Sequence, residues 1–212
     1  MPLRERDVGE LARALDVRTA AAIARGPARV QELTPAEAAR YRELVATPRS
    51  DSWLRGRAAL KRLLRRLGME PDTSTVKFPH PRFSLTHSGR YALAVAADGS
   101  GLTGVGIDLE LNAMPRQAAA RFFVTAEEQE QCAYASVPTA YLLRLWTVKE
   151  ALFKADPHNQ GRGLLDYVVR DIATRVGWAR AHANGSLGMR YASLDLGNGF
   201  LSLAVSYREG TA

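Results

Sequence analysis

Val105-Gly106-Ile107-Asp108-Leu109-Glu110 is an apolar run that ends in two carboxylates, and Trp146-Thr147-Val148-Lys149-Glu150-Ala151-Leu152-Phe153-Lys154 follows further along the chain. Successive residues of a strand point to opposite faces, so Asp108 and Glu110 share one face. Glu150 and Lys154 are four residues apart and share one face of a helix. If that helix packs on the strand, three carboxylates and the lysines of the second stretch converge. Such a cluster suits a hard divalent cation and a polyphosphate.

The composition is that of a globular protein. The 212 residues are 46% hydrophobic and 24% charged, enough for one domain or two small ones. No apolar run is long enough to cross a bilayer, and the N-terminal stretch lacks a signal-peptide core. The single cysteine, Cys132, cannot form an internal disulfide, so we expect a cytoplasmic protein. The net charge of +7 favours polyanionic partners: nucleic acid, acidic membrane surfaces, phosphorylated cofactors or acidic proteins.

Periodicity and capping residues predict alternating helices and strands. Thr34, Pro35 and Glu37 have the pattern of a helix N-terminus, with Thr34 as the N-cap. Thr125 and Glu128 repeat the capping pattern before another helix. Further helices are predicted within Gly9–Ala24, from Asp51 or Ser52 to Gly68, over Gln117–Phe123 and over Tyr141–Ala155. Strands are predicted at Phe83–Thr86, Tyr91–Ala97, Leu102–Glu110, Tyr167–Ile172, Gly188–Leu194 and Phe200–Tyr207.

The two opening motifs together resemble the 4'-phosphopantetheinyl transferases. That family carries G-[IV]-D-[IL]-E and, downstream, W-[ST]-x-K-E-[SA]-[FLW]-x-K, and both are complete here in the same order. Taken alone, the first motif would suit a solvated strand end, and the second motif would suit a surface ion pair worth about 0.3–0.5 kcal/mol. The resemblance covers most of the chain from about Leu33 to Leu165.

The resemblance implies an α/β fold of the α+β kind, with two similar halves forming an intramolecular pseudo-dimer around a central cleft. The length suits this monomeric, Sfp-type form and not the shorter form that assembles as a trimer. We expect a boundary near Thr103. Residues 1–103 would then contact the nucleotide of coenzyme A, and residues 104–212 would carry the magnesium-binding and catalytic motifs.

The resemblance also implies a reaction and its residues. A serine hydroxyl of an apo carrier protein attacks the β-phosphorus of coenzyme A, the phosphopantetheine arm moves to the serine, and 3',5'-ADP leaves. Asp108, Glu110 and Glu150 would bind Mg²⁺, or Mn²⁺, and Asp108 would also approach the diphosphate. Glu150 would also be a candidate general base, directly or through water, and Lys154 an alternative proton carrier or a counter-charge to the diphosphate. Lys149 would reach a phosphate or only solvent.

Three further segments imply contacts with coenzyme A. Phe83-Ser84-Leu85-Thr86-His87-Ser88 resembles F-N-[IL]-S-H-S, which makes His87 a phosphate contact with Thr86 beside it. The L-[ST]-x-x-E-x-x-R and G-R-x-x-L-R patterns make Arg40 and Arg57 candidates for phosphate binding. One departure is clear: the family's G-K-P turn is replaced by Val76-Lys77-Phe78-Pro79, where Lys77 would substitute for the lysine of the turn.

The carrier protein implies a docking surface of its own. Ala119-Ala120-Arg121-Phe122-Phe123 resembles a family segment that precedes a capped helix. We expect Leu111, Met114 and Phe122 to contact a carrier helix and at least one of the two phenylalanines to lie in the core. Trp146 and Phe153 are interpreted as core residues.

Three alternatives compete with this interpretation. The cation-rich helix around Arg55–Arg66 would suit a nucleic-acid-binding protein, although no zinc spacing or RNA-binding motif is present. A phosphohydrolase with three carboxylates is a second alternative. A catalytically weak module that only binds coenzyme A is the third. We expect neither a nucleic acid nor a membrane among the partners, and the sequence does not choose between fatty-acid, polyketide and nonribosomal-peptide carriers.

Overall fold

The computed structural model of the chain describes residues 3–112, 117–133, 138–170, 172, 174–181 and 188–208. Its helices are α1 (Glu5–Leu15), α2 (Pro35–Leu44), α3 (Ser50–Arg66), α4 (Ala126–Ala133) and α5 (Pro138–Ala155). Its strands are β1 (Arg18–Arg25), β2 (Phe83–Ser88), β3 (Tyr91–Asp98), β4 (Leu102–Leu111), β5 (Tyr167–Val169), β6 (Val176–Ala181), β7 (Gly188–Asp195) and β8 (Gly199–Tyr207). Short 3₁₀ turns lie at Val30–Glu32, Gln117–Phe122 and Leu164–Asp166.

The strands form two antiparallel sheets. The first has the order β1-β3-β2 and the second the order β4-β8-β7-β6-β5. Helix α3 packs on the first sheet, and α5 packs on the second. The α+β class that the sequence predicts is therefore confirmed.

One arrangement occurs in both sheets. A first strand is followed by a long helix and then by a hairpin, and the second strand of the hairpin lies between the other two. The elements are β1, α3 and β2–β3 in the first sheet, and β4, α5 and β7–β8 in the second. Each helix covers its own apolar cluster, while a third cluster joins α1 to both sheets through β3, β4 and β8.

Hydroxyl groups join the two sheets where β2 lies beside β4. Strand β4 pairs with β8 on one edge only, so the amides of its other edge need partners. The hydroxyls of Ser84, Thr86 and Ser88 accept hydrogen bonds from the amides of Ile107, Leu109 and Leu111, at 3.0, 3.2 and 2.9 Å. These side chains alternate along β2, as the two-residue period of a strand requires.

The predicted helix within Gly9–Ala24 is wrong in its second half. Helix α1 ends at Leu15, because Asp16 takes a left-handed conformation and its amide caps the helix through Ala12 and Arg13 carbonyls. The alanine-rich stretch Arg18–Arg25 is instead strand β1, paired with β3 along its whole length. Its alanines alternate between the central cluster and the cluster under α3, so their small size permits close packing on both faces.

Most other elements lie close to the predicted ones. The predicted helix N-terminus at Thr34 is confirmed as a capping box: the Glu37 carboxylate accepts from the Thr34 amide at 2.8 Å, and the Thr34 hydroxyl accepts from the Glu37 amide. Strands β2, β3, β4, β7 and β8 are confirmed, and α5 begins at Pro138, three residues before the predicted Tyr141. Strand β6 was not predicted.

Candidate active site

Two glycines bring helix α5 into direct contact with strand β4. Gly104 and Gly106 lie on the face of β4 that also carries Asp108, two residues further on. A Cβ on Gly106 would lie 2.7 Å from the amide nitrogen of Ala155 and 2.8 Å from the carbonyl carbon of Ala151. A Cβ on Gly104 would lie 3.0 Å from the carbonyl carbon of Ala155. The absence of both side chains lets the helix lie against the strand backbone.

This packing places Lys154 on Asp108. The Asp108 carboxylate is buried, with an exposed fraction of 5%. Its Oδ1 accepts from Lys154 Nζ at 2.7 Å and from the Thr86 hydroxyl at 3.1 Å, and Lys154 Nζ also donates to the Ile107 carbonyl at 3.3 Å. The other oxygen, Oδ2, is buried without a hydrogen-bond partner. Such an atom is costly unless a further group binds there.

Glu110 and Glu150 bring further negative charge to the same place. Burial raises the pKa of Glu110, and the nearby Asp108 raises it further. Ser88 donates to Glu110 at 3.5 Å. Burial likewise raises the pKa of Glu150, although Lys154 partly offsets the effect. Both carboxyls therefore gain from any added positive charge.

These groups line a cleft of about 830 Å³, within the usual range for small-molecule sites. Its walls come from both sheets and their helices. One wall is formed by Arg49, Ser52, Trp53, Arg57, Phe78, Pro79 and residues 84–87. The other is formed by Asp108, Glu110, Trp146, Glu150, Phe153, Lys154 and Asn159.

Arg57, Thr86 and His87 lie in this cleft, as the resemblance implies. Arg57 donates to the carbonyl of Thr73 at 3.3 Å and lies over the ring of Trp53, 5.3 Å from its centroid. The Thr86 hydroxyl is already used between the two sheets. Desolvation lowers the pKa of His87, and the neighbouring Lys154 lowers it further, so an anionic ligand would find this side chain beside a lysine.

Two other predicted contacts lie elsewhere. Arg40 is exposed on α2, bonds to Glu43 and is not part of the cleft wall. Lys77 is exposed and also absent from the wall, although its neighbours Phe78 and Pro79 belong to it. The phosphate contacts implied for these two residues are therefore not supported by their positions.

The implied role of Lys149 is wrong. Its side chain has an exposed fraction of 0% and lies 2.6 Å from Glu128, which is equally buried. Burial lowers the pKa of Lys149, while Glu128 opposes that effect. Lys149 reaches neither a phosphate nor solvent, because its side chain points from α5 into the protein interior, toward Glu128. The adjacent Glu150 is thereby turned toward the cleft.

Sequence reasoning missed several members of the cleft wall. Arg49, Ser52 and Asn159 carry no motif that would identify them. Trp146 and Phe153 do pack on the core, with Phe123 and Tyr167 respectively, but they also face the cleft. Their positions on the helical face of Glu150, three or four residues away, are the signal that would have found them.

The predicted carrier surface is partly described. Phe123 is fully buried, which confirms that one of the two phenylalanines lies in the core. Phe122 has an exposed fraction of 61%, with the guanidinium of Arg121 over its ring at 4.7 Å. Leu111 is partly exposed at the end of β4. Met114 lies outside the described residues.

The donor set suits a hard cation such as Mg²⁺. Oxygen ligands are present: Oδ2 of Asp108 has no hydrogen-bond partner, and besides burial the charges of Asp108 and Glu150 both raise the pKa of Glu110. Across the described parts of the chain, no three acidic, histidine or cysteine side chains are already gathered around one point. Lys154 donates to Oδ1 of Asp108, which leaves Oδ2 as the oxygen of this carboxylate that could hold an ion.

A comparison with known sequence families agrees with this geometry. No helix in the described ranges has the length and hydropathy needed to cross a membrane. No curated protein matches the chain. The sequence family described as the 4'-phosphopantetheinyl transferase superfamily matches residues 104–193, a range that contains all of α5 and most of β4 and β7. Residues 104–193 therefore form a domain of the 4'-phosphopantetheinyl transferase superfamily, as the motifs on β4 and α5 predicted.

Proposed function

We propose that this chain transfers the 4'-phosphopantetheine arm of coenzyme A to a serine of an apo carrier protein in a magnesium-dependent reaction. One observation carries the proposal. Asp108, Glu110, Glu150 and Lys154 face a single cleft that Arg57 also lines. Carboxylates and cations around one cleft suit a metal–diphosphate complex, since they neutralise both of its components.

Coenzyme A would lie across the cleft, with its nucleotide toward the first sheet. Arg57 and His87 are the groups that would meet its phosphates, and Trp53 and Phe78 supply apolar surface. Lys154 would offset charge on the diphosphate. The two halves of the pseudo-dimer, with the boundary near Thr103, would thus divide the work between nucleotide binding and chemistry.

Asp108 and Glu110 would hold the metal, and Glu150 would be its third ligand or the base but not both at once, because a metal-bound carboxylate is a poor base. When bound, Mg²⁺ supplies charge neutralisation to the diphosphate. The unpartnered Oδ2 of Asp108 and the raised pKa values of Glu110 and Glu150 support this assignment. Mn²⁺ would suit the same oxygen ligands.

Glu150 would remove the proton from the attacking serine. The serine oxygen forms a bond to the β-phosphorus, and the bond from that phosphorus to the leaving oxygen of 3',5'-ADP breaks. The serine proton passes to Glu150, directly or through a water, and the leaving oxygen takes the electron pair. A base whose pKa is raised by burial accepts a proton more readily than an ordinary glutamate does. Lys154 would stabilise the charge on the departing oxygen.

The basic charge of the chain suits an acidic carrier protein, with Leu111 and Phe122 at the point of contact. The rival nucleic-acid interpretation gains no support from α3. Lys61 is buried against Glu37, Arg62 and Arg66 donate to backbone carbonyls of β1, and Arg57 faces the cleft. Most cations of this helix are thus engaged within the protein.

The test combines the protein with coenzyme A, Mg²⁺ and a panel of apo carrier proteins, which are then weighed by intact mass spectrometry. A gain of one phosphopantetheine that EDTA abolishes and added Mg²⁺ restores is the expected result. The variant Glu150→Gln should show no gain, although it binds coenzyme A. Binding of coenzyme A without transfer to any carrier would support the binding-module alternative instead. Absence of coenzyme A binding would refute the proposal.

A further inference from the structure

A buried ion pair joins helices α2 and α3 away from the carboxylate cluster. Glu37 has an exposed fraction of 1% and Lys61 one of 2%. Lys61 Nζ lies 2.7 Å from Oε2 of Glu37. Neither side chain lines the cleft. A charge pair withdrawn from solvent is expensive unless it satisfies many hydrogen bonds, so its partners are informative.

Those partners tie a third segment to the two helices. Glu37 accepts from the amide of Thr34 at 2.8 Å, and from both the amide and the hydroxyl of Thr73, at 2.8 and 2.5 Å. Lys61 donates to the carbonyl of Pro71 at 2.8 Å. The start of the non-helical segment 71–79 is therefore fixed at one buried point.

The same segment forms part of the cleft. Thr73 accepts from Arg57 through its carbonyl oxygen at 3.3 Å and its hydroxyl at 3.5 Å. Phe78 and Pro79, at the other end of the segment, line the same cleft as the carboxylates. The segment that the ion pair fixes therefore contributes two residues to the cleft and bonds to a third, Arg57.

A similar buried ion pair lies in the second half of the chain, beside the carboxylate cluster. Glu128 caps the amide of Thr125 at 2.8 Å, pairs with Lys149 at 2.6 Å and accepts from the amide of Val169 at 3.1 Å. That pair fixes α5 next to Glu150. In each half a capping glutamate thus binds a lysine of the long helix and an amide of the chain beyond that helix.

We propose that Glu37 and Lys61 are positioning residues that hold segment 71–79 and Arg57 in the arrangement that binds the nucleotide end of coenzyme A. The inference rests on the proposed function, because it concerns the same cleft. It assigns to this pair an effect on the affinity for coenzyme A and none on the transfer step. Neither residue contacts the substrate.

Two variants test the proposal without leaving one buried charge alone. Thr73→Val removes the hydroxyl bond to Glu37 and one acceptor of Arg57, while the ion pair remains. The double variant Glu37→Gln with Lys61→Met removes both charges with side chains of similar size. Glu5→Gln is the matched control. It breaks an exposed ion pair between Glu5 of α1 and Arg66 of α3, and no residue of segment 71–79 takes part in that pair. A lower melting temperature alone does not count as support.

Hydrogen exchange of peptides spanning residues 72–79 in the full-length protein measures how firmly the ion pair holds the segment. Calorimetric titration with coenzyme A, together with transfer kinetics, measures whether that hold affects binding or transfer. We expect faster exchange in both test variants. In the double variant we also expect the Kd and KM for coenzyme A to rise about tenfold, comparable to the loss of one charged hydrogen bond. The value of kcat should stay within threefold. Unchanged exchange, or faster exchange with an unchanged Kd, would overturn the positioning role alone. A wild-type protein that binds no coenzyme A would overturn the proposed function and this role with it.

Discussion

Replacing Gly106 by alanine should test how the site is assembled, because it adds a single methyl group between β4 and α5. The new Cβ would lie 2.7 Å from the amide nitrogen of Ala155 and 2.8 Å from the carbonyl carbon of Ala151. Ordinary contacts between such atoms are about 3.5–4.0 Å, so the helix has to move away by about 1 Å. Both contacts are with helix backbone, which cannot be relieved by a change of rotamer.

Two effects follow from this displacement. Overpacking of this kind lowers the free energy of unfolding by about 1–3 kcal/mol, which for a chain of this size corresponds to a drop of about 2–12 °C in melting temperature. The shift also moves Glu150 and Lys154 away from Asp108. A misplacement of about 1 Å can reduce catalysis about 100-fold.

The assay measures thermal unfolding by circular dichroism and initial rates of carrier modification by mass spectrometry. Gly163→Ala is the matched control, because a Cβ there meets nothing within 4 Å. It should leave both quantities unchanged. A Gly106→Ala protein with wild-type melting temperature and a rate within twofold of wild type would refute the view that direct backbone contact sets the geometry of the site.

Four further changes have distinct expected outcomes. Glu150→Gln should lower kcat by about 10²–10⁴-fold with little change in melting temperature, and a loss below tenfold, measured under saturating substrates, would contradict its role as base. Arg57→Ala should raise the KM for coenzyme A about tenfold and leave the KM for the carrier unchanged, since one charged hydrogen bond is lost; equal effects on both constants would exclude a specific phosphate contact. Phe122→Ser should raise the KM for the carrier about five- to tenfold without affecting coenzyme A binding, as expected for an exposed aromatic anchor, and an unchanged carrier KM would remove it from the docking surface. The pKa values of Glu110 and Glu150 are raised, first of all by burial, so as the pH falls both become protonated at a higher pH than ordinary glutamates do, and the acid loss of kcat/KM should begin above pH 4.5. Because metal binds the deprotonated carboxylates, a tenfold increase in Mg²⁺ should move that loss to lower pH by up to about one unit; an acid limb insensitive to Mg²⁺ would argue against these ligands.

The sequence predicted β4 and α5 in the second half of the chain well because two strong local signals coincide there. Strand β4 is an apolar run that ends in two carboxylates, and α5 carries the long motif from Trp146 to Lys154 within a helical stretch. The packing of the helix on the strand stayed a condition of the sequence reasoning, and the structure supplies it. What the sequence could not give was the distance between them, which depends on Gly104 and Gly106 lying under the helix backbone.

The errors have identifiable physical causes. Alanine favours helices in isolation, so a helix was predicted within Gly9–Ala24, whereas pairing with β3 and packing on two faces make Arg18–Arg25 a strand. Lys149 follows a motif position that suggests an exposed charge, but its partner Glu128 is twenty-one residues away in sequence and only the fold brings them together. Arg40 matches its motif by spacing and still lies on the outer face of α2.

The hydroxyl contacts between β2 and β4 have a consequence for modular engineering of this chain. The two sheets meet through Ser84, Thr86 and Ser88 and not through a continuous backbone ladder, and Thr86 also bonds to Asp108. A chimera that combines the first half of one transferase with the second half of another therefore has to preserve hydroxyls at alternate positions of β2 as well as the acidic motif. An alignment of either half by itself would treat these small polar residues as interchangeable, although their hydrogen bonds hold the two halves of the recombined protein together.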